Sequence, residues 1–261
     1  MLSNLGEILT QQAHHRRRAD KAAIYFYDET YTYADLEARA NRVARALRAS
    51  GIGRGDVVCQ MLPTSPDLIV NMFGVLKAGA IYSPLNPSLT DHELRYQLAD
   101  SAAVAVITGR QQAGRFYAMR PLLPALRHIF VVDDEASLPA LAAAANAAPP
   151  EEAPAPDDVA LLVYTSGSTS HAKGVLVTHR SSLLDARQLA RHLQITEDDR
   201  VLQSMPLFYY SGIKSNVLLP LLQGASIALR RRFVLEEFWP AVHRYRPTFF
   251  AAVPTMYARL L

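Results

Sequence analysis

Hydrophobic positions along this chain switch repeatedly between a spacing of two and a spacing of three to four. That switching predicts the order of its elements. "AAIYFYDETYTY" predicts two short strands about a turn at Asp28–Thr30. Thr32 and Asp35 make a capping box, and behind them Leu36, Ala40, Val43 and Leu47 share one helical face that stops at Gly51. "VVCQML" predicts a strand, and "PDLIVNMFGVLKAG" a helix opened by Pro66 and closed by Gly79. "AIYSPLNP" is a short strand running into a proline-stiffened loop. Thr90 and Glu93 cap the helix "DHELRYQLADS", and "AVAVIT" and "HIFVVD" are further strands.

Between Leu138 and Asp158 the chain turns to Ala, Pro and Glu with little to bury, which predicts a surface linker after one short helix. The alternation then resumes: strand "VALLVY", a polar loop, helix "SSLLDARQLARHL", strand "RVLQSM", helix "SNVLLPLLQG", strand "ASIALR", helix "LEEFWPAVHRY" and strand "TFFAAVP". Phe238, Trp239 and Val242 are expected on the buried face of the last helix. Such alternation predicts an α/β fold with mainly parallel sheets flanked by helices.

Composition narrows the class. With 50% hydrophobic and 20% charged residues, 261 residues can bury a substantial core. One cysteine, Cys59, allows no internal disulfide and sits in an apolar run, which suits a reducing cytoplasm. The longest apolar stretch is broken by Lys77, Gly79 and Pro84, so no membrane span is expected. The net charge of +3 comes overwhelmingly from arginine. The triplets Arg16–Arg18 and Arg230–Arg232 lack interleaved aromatics, so no nucleic-acid partner is expected. His14, His15, His92 and His128 show no metal-ligand spacing, and His179 is expected to be structural.

Chemistry concentrates in "VYTSGSTSHAKGVLVTH", Val163–His179. A strand there delivers a loop of hydroxyls and glycine to the end of a sheet, where α/β folds bind ligands. Backbone N–H groups and hydroxyls can ring a polyphosphate, and Lys173 adds a mobile charge. The spacing is not that of a Walker A loop, since five residues separate Gly167 from Lys173 and Gly174 follows it. Composition alone also fits a solvated turn.

The order of the residues resembles a known signature. "YTSGSTSHAKGV" is similar to the phosphate-binding segment Tyr-Thr-Ser-Gly-Ser/Thr-Thr-Gly-x-Pro-Lys-Gly of the adenylate-forming, or AMP-binding, superfamily, which includes acyl-CoA synthetases and peptide-synthetase adenylation domains. "TYADLEARANRVARAL", "LKAGAIYSPLNP", "VTH" at 177–179, "PLFYYSG" and "VPTMYARLL" resemble further segments of that family, in its order. The chain departs from the pattern at Ser170, Ala172 and Tyr209, which stand where the family usually has Gly, Pro and His. The family's later motifs, with a ribose-binding Asp and an adenylation Lys, are not found. The likeness is therefore to the N-terminal part of such an enzyme, most like an acyl-CoA synthetase, with a C-terminal portion missing.

The resemblance implies an AMP-binding domain over 1–261, incomplete, with one subdomain at approximately 1–60 and 197–261 and the other at 61–196. It implies ATP-dependent activation of a carboxylic acid as acyl-adenylate, followed by thioester formation on coenzyme A or a phosphopantetheine arm. Thr165, Ser166, Gly167, Ser168, Thr169, Lys173 and Gly174 would hold the phosphates, Lys173 would stabilise their charge, and Thr165 would help hold Mg²⁺. Tyr209 and Gly212 would lie at the acyl pocket. Two alternatives stay open: a peptide-synthetase adenylation domain, and a truncated non-catalytic nucleotide-binding or interaction protein. Motifs in the downstream reading frame would separate the last from the others. The identity of the acid, the thiol acceptor and the oligomeric state are left open.

Overall fold

A computed structural model of the chain describes residues 2–134, 137–165 and 172–261. Its strands are β1 (Ala22–Phe26), β2 (Glu29–Thr32), β3 (Val57–Met61), β4 (Ile81–Pro84), β5 (Ala105–Thr108), β6 (His128–Val131), β7 (Val159–Thr165), β8 (Lys173–Thr178), β9 (Arg200–Gln203) and β10 (Ser226–Leu229). Its helices are α1 (Glu7–Ala13), α2 (Tyr33–Ala49), α3 (Pro66–Ala78), α4 (Asp91–Asp100), α5 (Arg110–Met119), α6 (Leu138–Ala144), α7 (His179–His192), α8 (Tyr210–Ile213), α9 (Leu219–Gln223), α10 (Leu235–Tyr245) and α11 (Pro254–Ala258). A π-helical stretch, Lys214–Leu218, joins α8 to α9. None of the described helices is long and apolar enough to cross a membrane.

The strands form a four-stranded sheet, ordered β2-β1-β10-β9, and a six-stranded sheet, ordered β6-β5-β3-β4-β7-β8. Only the β1–β2 and β7–β8 pairs are antiparallel. The mainly parallel α/β fold expected from the alternation is therefore the fold observed. A parallel sheet must be covered on both faces, and successive residues of the larger sheet do enter different cores. Val58, Ile107 and Leu161 face the main core, while Cys59, Val106 and Leu162 face a second core with α4 and α5. The main core also takes Ile24 and Leu229 from the smaller sheet, so both sheets pack on one helical layer of α1, α2, α3, α7 and α9. Phe238, Ala241 and Tyr245 of α10 cover the other face of the smaller sheet through Leu202 and Ala228.

Local signals set the helix ends as expected. Both capping boxes, Thr32 with Asp35 and Thr90 with Glu93, are formed. Ser65 caps α3, and Gly79 closes it in the left-handed region at φ 83°. The tightest packing is the crossing of α2 and α3. A Cβ on Gly74 would come within 2.4 Å of Val43 Cγ1, so glycine lets the two helices approach. One turn further along the same seam, Lys77 Nζ lies 2.8 Å from Glu37 Oε2, and both side chains are buried. Glu37 Oε1 accepts from Thr10 Oγ1 at 2.8 Å, which ties α1 into the pair, and from Asn41 Nδ2 at 3.1 Å. Burial pulls the Lys77 pKa down, and Glu37 partly offsets it.

Several expectations change. The first hairpin turns at Tyr27 and Asp28, with Tyr27 at φ 53°, rather than at Asp28–Thr30. Lys173 and Gly174, expected in the polar loop after "VALLVY", begin strand β8, with Lys173 paired to Thr165 and Gly174 to Tyr164. Cross-strand pairing extends the hairpin further than the local polarity suggests. "TFFAAVP" forms no strand: a single bridge joins Phe249 to Val201 before the chain turns into α11. Trp239 is 53% exposed while its neighbour Phe238 is buried, so α10 buries a narrower face than expected. Helices α1 and α5 carry no side-chain cap and were not legible in the pattern. The expected linker beyond α6 is strapped to α2, where Asn41, Arg45 and Arg48 donate to the carbonyls of Ala147, Ala148, Pro149 and Glu152.

The α2–α3 contact yields a test. Despite alanine's better helix propensity, Gly74→Ala should destabilise the protein by about 1–2 kcal/mol, because the added Cβ would fall 2.6 Å from Val43 Cβ, which cannot swing aside as a side-chain tip can. Val43→Ala in the same chain should recover part of that loss. Urea unfolding of the wild type, both single variants and the double variant measures the coupling, and strictly additive losses would show that the two positions do not collide.

Candidate functional site

Five parallel strands, β3, β4, β7, β9 and β10, end near one edge of the two sheets, where α/β folds bind ligands. The segments leaving four of them, β3, β4, β9 and β10, enclose a cavity of about 300 Å³ between the sheets. Its walls are mostly apolar, including Leu62, Leu85, Leu207, Phe208, Phe233 and Met256. Polar atoms enter at few points. Gln60 Oε1 and Ser204 Oγ are buried there without a hydrogen-bond partner, although Gln60 Nε2 donates to Leu68 O at 3.1 Å. Arg231 and Arg232 also line it, and Arg231 stacks its guanidinium over the Phe26 ring at 5.7 Å. An apolar chamber with a few unsatisfied polar groups is the form small-molecule sites take.

At the same edge, β7 and β8 form the hairpin that carries the hydroxyl-rich loop. Thr165 and Lys173 face each other at its mouth, and both are exposed. Ser166, Gly167, Ser168 and Thr169 lie outside the described residues. The hairpin's base is braced by α4. Tyr164 Oη donates to Asp100 Oδ2 at 2.7 Å, and Tyr96 Oη donates to Ala172 O at 3.2 Å. Burial and the Asp100 contact both push the Tyr164 pKa up, so this hydroxyl stays a donor. A Cβ on Gly174 would meet the tip of Leu162 at 2.8 Å, a side-chain end able to give way, so packing alone does not demand glycine there.

Of the chain's four lysines, three are committed. Lys21 donates to Gly224 O at 2.6 Å, Lys77 is held by Glu37, and Lys214 lies 3.0 Å from Asp185 Oδ2. Lys173 has no ion pair or hydrogen bond among the described residues. Tyr209 and Gly212 do not line the cavity. Tyr209 is 49% exposed, with its ring 4.5 Å from that of the lining residue Phe208. Gly212 is buried, and a Cβ there would lie 2.3 Å from Pro206 O, so it fixes the path of "PLFYYSG" beside the cavity. Pro206, Leu207 and Phe208 from that segment are the residues that reach the chamber.

No group of three or more His, Cys, Asp or Glu side chains among the described residues could hold a metal. The Thr165 hydroxyl, paired across the strand with a lysine, supplies at most one oxygen toward Mg²⁺, which takes carboxylates and phosphate oxygens. The described residues therefore do not make a Mg²⁺ site. Gln60, Ser204, Arg231 and Arg232 were not legible as cavity residues. The one available signal was Gln60, a polar side chain inside the apolar run "VVCQML".

Residues 9–261 match the family described as AMP-binding enzyme. The chain belongs to that family. It is 33% identical over 231 residues to the sulfoacetate–CoA ligase of Cupriavidus necator, covering 88% of this chain and 45% of the relative. It is 32% identical over 227 residues to tyrocidine synthase 3 of Brevibacillus parabrevis, covering 87% of this chain and 3% of that protein. Its fold superposes on the crystal structure of the anthranilate CoA ligase AuaEII in complex with anthranoyl-AMP, with a TM-score of 0.91 and 28% identity, over 98% of this chain and 50% of that one. The chain thus spans about half the length of the CoA ligases it matches, and the part matched is the N-terminal one.

Where the hairpin ends, Thr178 caps α7 and delivers His179 into the core. His179 Nδ1 accepts the Leu5 N–H at 3.1 Å, which fixes the neutral ring. Burial lowers its pKa to about 4, and Asp158 offsets only part of the shift. Below its ordinary pKa, near 6.5, the unfolded chain binds a proton that the folded chain refuses. Stability should therefore fall by up to roughly 3 kcal/mol as pH drops from about 6.5 to about 4. Denaturant unfolding across that range checks this, with His179→Gln expected to flatten the limb. An equally steep limb in the variant would move the effect to other groups.

Proposed function

We propose that this chain is the phosphate-holding, N-terminal part of an ATP-dependent acid–thiol ligase of the acyl-CoA synthetase type. The observation that carries the reading is the hairpin mouth, where a lysine without an ion pair or hydrogen bond among the described residues faces Thr165 beside an apolar chamber at the carboxyl ends of parallel strands. In the proposed reaction a carboxylate oxygen attacks the α-phosphorus of ATP, the bond to the β-phosphate oxygen breaks, and pyrophosphate leaves. The thiol of coenzyme A then attacks the acyl carbon and expels AMP. Such chemistry depends on holding the reactants and offsetting charge.

This chain's own contribution is to that grip. Thr165 through Thr169 offer N–H groups and hydroxyls to the departing phosphates, Lys173 offsets their charge, and Gly174 keeps the strand bare where a phosphate approaches. The apolar chamber suits the body of a small carboxylic acid, with Tyr209 and Gly212 shaping the segment beside it. The subdomain division is proposed to follow the two sheets, so that β3 goes with the larger one although it begins before residue 61. The buried, lone Cys59 is consistent with a reducing cytoplasm. The likeness to tyrocidine synthase 3 favours a second reading, an adenylation domain serving a phosphopantetheine arm. Thioester formation on free coenzyme A, compared with formation on a carrier domain, separates the two.

Calorimetric titration with pyrophosphate tests the grip. Lys173→Ala should weaken binding by about 1.5–3 kcal/mol, against roughly 0–1 kcal/mol for Lys21→Ala or Lys214→Ala. Equal losses for all three would remove the special place of Lys173.

The isolated 261-residue polypeptide should show no appreciable ATP–pyrophosphate exchange with any of a panel of carboxylic acids. The groups that position the α-phosphate in this family are not among its residues, and positioning supplies much of the rate. Robust exchange would show that these residues suffice for adenylation.

A further inference from the structure

A second cavity, of about 350 Å³, lies in the groove between α2, the start of α3 and α6, and it shares no lining residue with the inter-sheet chamber. Its apolar walls include Val70, Val132 and Leu138, and its polar side chains are Arg39, Arg42, Asp67 and Asn71. Two features set it apart from an ordinary surface dent.

The first is Asn71. This residue is 4% exposed, yet its Nδ2 has no hydrogen-bond partner. A buried donor of this kind is rare in native folds, and a bound acceptor would relieve it. The second is Arg42. Helix α2 carries arginines at 39, 42, 45 and 48. Arg39 is paired with Asp67, and Arg45 and Arg48 donate to backbone carbonyls of the 148–152 strap. Arg42 has no ion pair or hydrogen bond among the described residues, and it lines the cavity from an exposed position.

We propose that this groove is a binding site for a small organic monocarboxylate with an apolar body, held by Arg42 and by the Nδ2 of Asn71. Charge and lining select the class. Asp67 neutralises Arg39, which leaves one uncompensated positive charge among the described lining residues and so matches a monoanion rather than a phosphate dianion. Guanidinium and amide donors suit a carboxylate's two oxygens. The apolar walls cover the ligand's body, and the volume lies within the range of about 300–1,000 Å³ usual for small-molecule sites. A ligand seated there rests against Val43, the side chain that meets Gly74, and stabilises the α2–α3 seam by mass action.

Benzoate is the probe, with benzamide as its neutral counterpart, and the measurements are calorimetry and the side-chain amide resonances of Asn71. Benzoate should saturate a site below about 10 mM, shift the Asn71 amide signals, and raise the melting temperature. Arg42→Gln should weaken it by about tenfold or more, since one charge-assisted contact is lost. Asn71→Leu should abolish the amide-linked part, while Arg232→Gln in the inter-sheet chamber should leave this titration within about twofold. Arg42 is exposed, so Arg42→Gln decides the matter even if Asn71→Leu fails to fold. Absence of saturable binding below about 10 mM, affinity unchanged by Arg42→Gln, or equal affinity for benzamide would each overturn the site.

Discussion

The fold depends on the crossing of α2 and α3. Within the shared helical layer α2 packs against β1 and β2 and α3 against β3 and β4, so their contact sets how the two sheets face each other. Gly74 removes the side chain that would hold the axes apart, and Val43 and Ala40 fill the space. One turn away the Lys77–Glu37 pair lies in the same seam. Burying two charges costs desolvation energy, and such pairs are better at fixing an arrangement than at stabilising it. Here Thr10 and Asn41 supply the remaining hydrogen bonds, so the pair also fixes α1 against the seam. A slip of either helix would break the pair and drive Gly74 off Val43 together.

That constraint places the candidate site. With the sheets held at one angle, the carboxyl ends of β3 and β4 face those of β9 and β10 across the inter-sheet chamber. The chamber's unpartnered atoms, Gln60 Oε1 and Ser204 Oγ, are among several buried side-chain atoms left without a hydrogen bond, and these two are the ones on residues lining the chamber. The hairpin stands at the edge of the larger sheet, and β8 exposes Leu176 at 62% and Val175 at 45%. The outer face of β8 is therefore not covered by the main core. The hairpin's base is held by Tyr164 and Tyr96 through α4.

Much of this was legible in the chain because it is local. Capping boxes depend on residues three apart, helix faces on a period of 3.6, and the ends of α3 on Ser65, Pro66 and Gly79. Both sheets follow from strand–helix alternation and the handedness of parallel connections. What escaped is non-local. Strand β8 carries the unalternating run Val175–Val177, and only its partner β7 shows that it is extended. "TFFAAVP" has strand composition, but it meets β9 over a single bridge, so composition found no ladder to join. Trp239 has the residue type of a core position without the neighbours. The chamber draws on segments as distant as Gln60 and Met256, and no pattern within a window can assemble it. The hydroxyl-rich loop was legible for a different reason: its residues are contiguous in the chain.

The two lysines that matter most show how context divides one residue type between structure and chemistry. Lys77 is buried, desolvated and enclosed by Glu37 and Thr10, so its charge is consumed inside the fold. Lys173 is exposed at a strand end and has no counter-charge among the described residues. An ammonium already paired gives little to an incoming anion, because it must first leave its partner. An unpaired one gives up only water. The sequence context foreshadows the split, since Lys77 sits among apolar residues at helical spacing and Lys173 among hydroxyls and glycine. Only the packing decides it, by enclosing one amine and leaving the other facing solvent at the mouth of the hairpin.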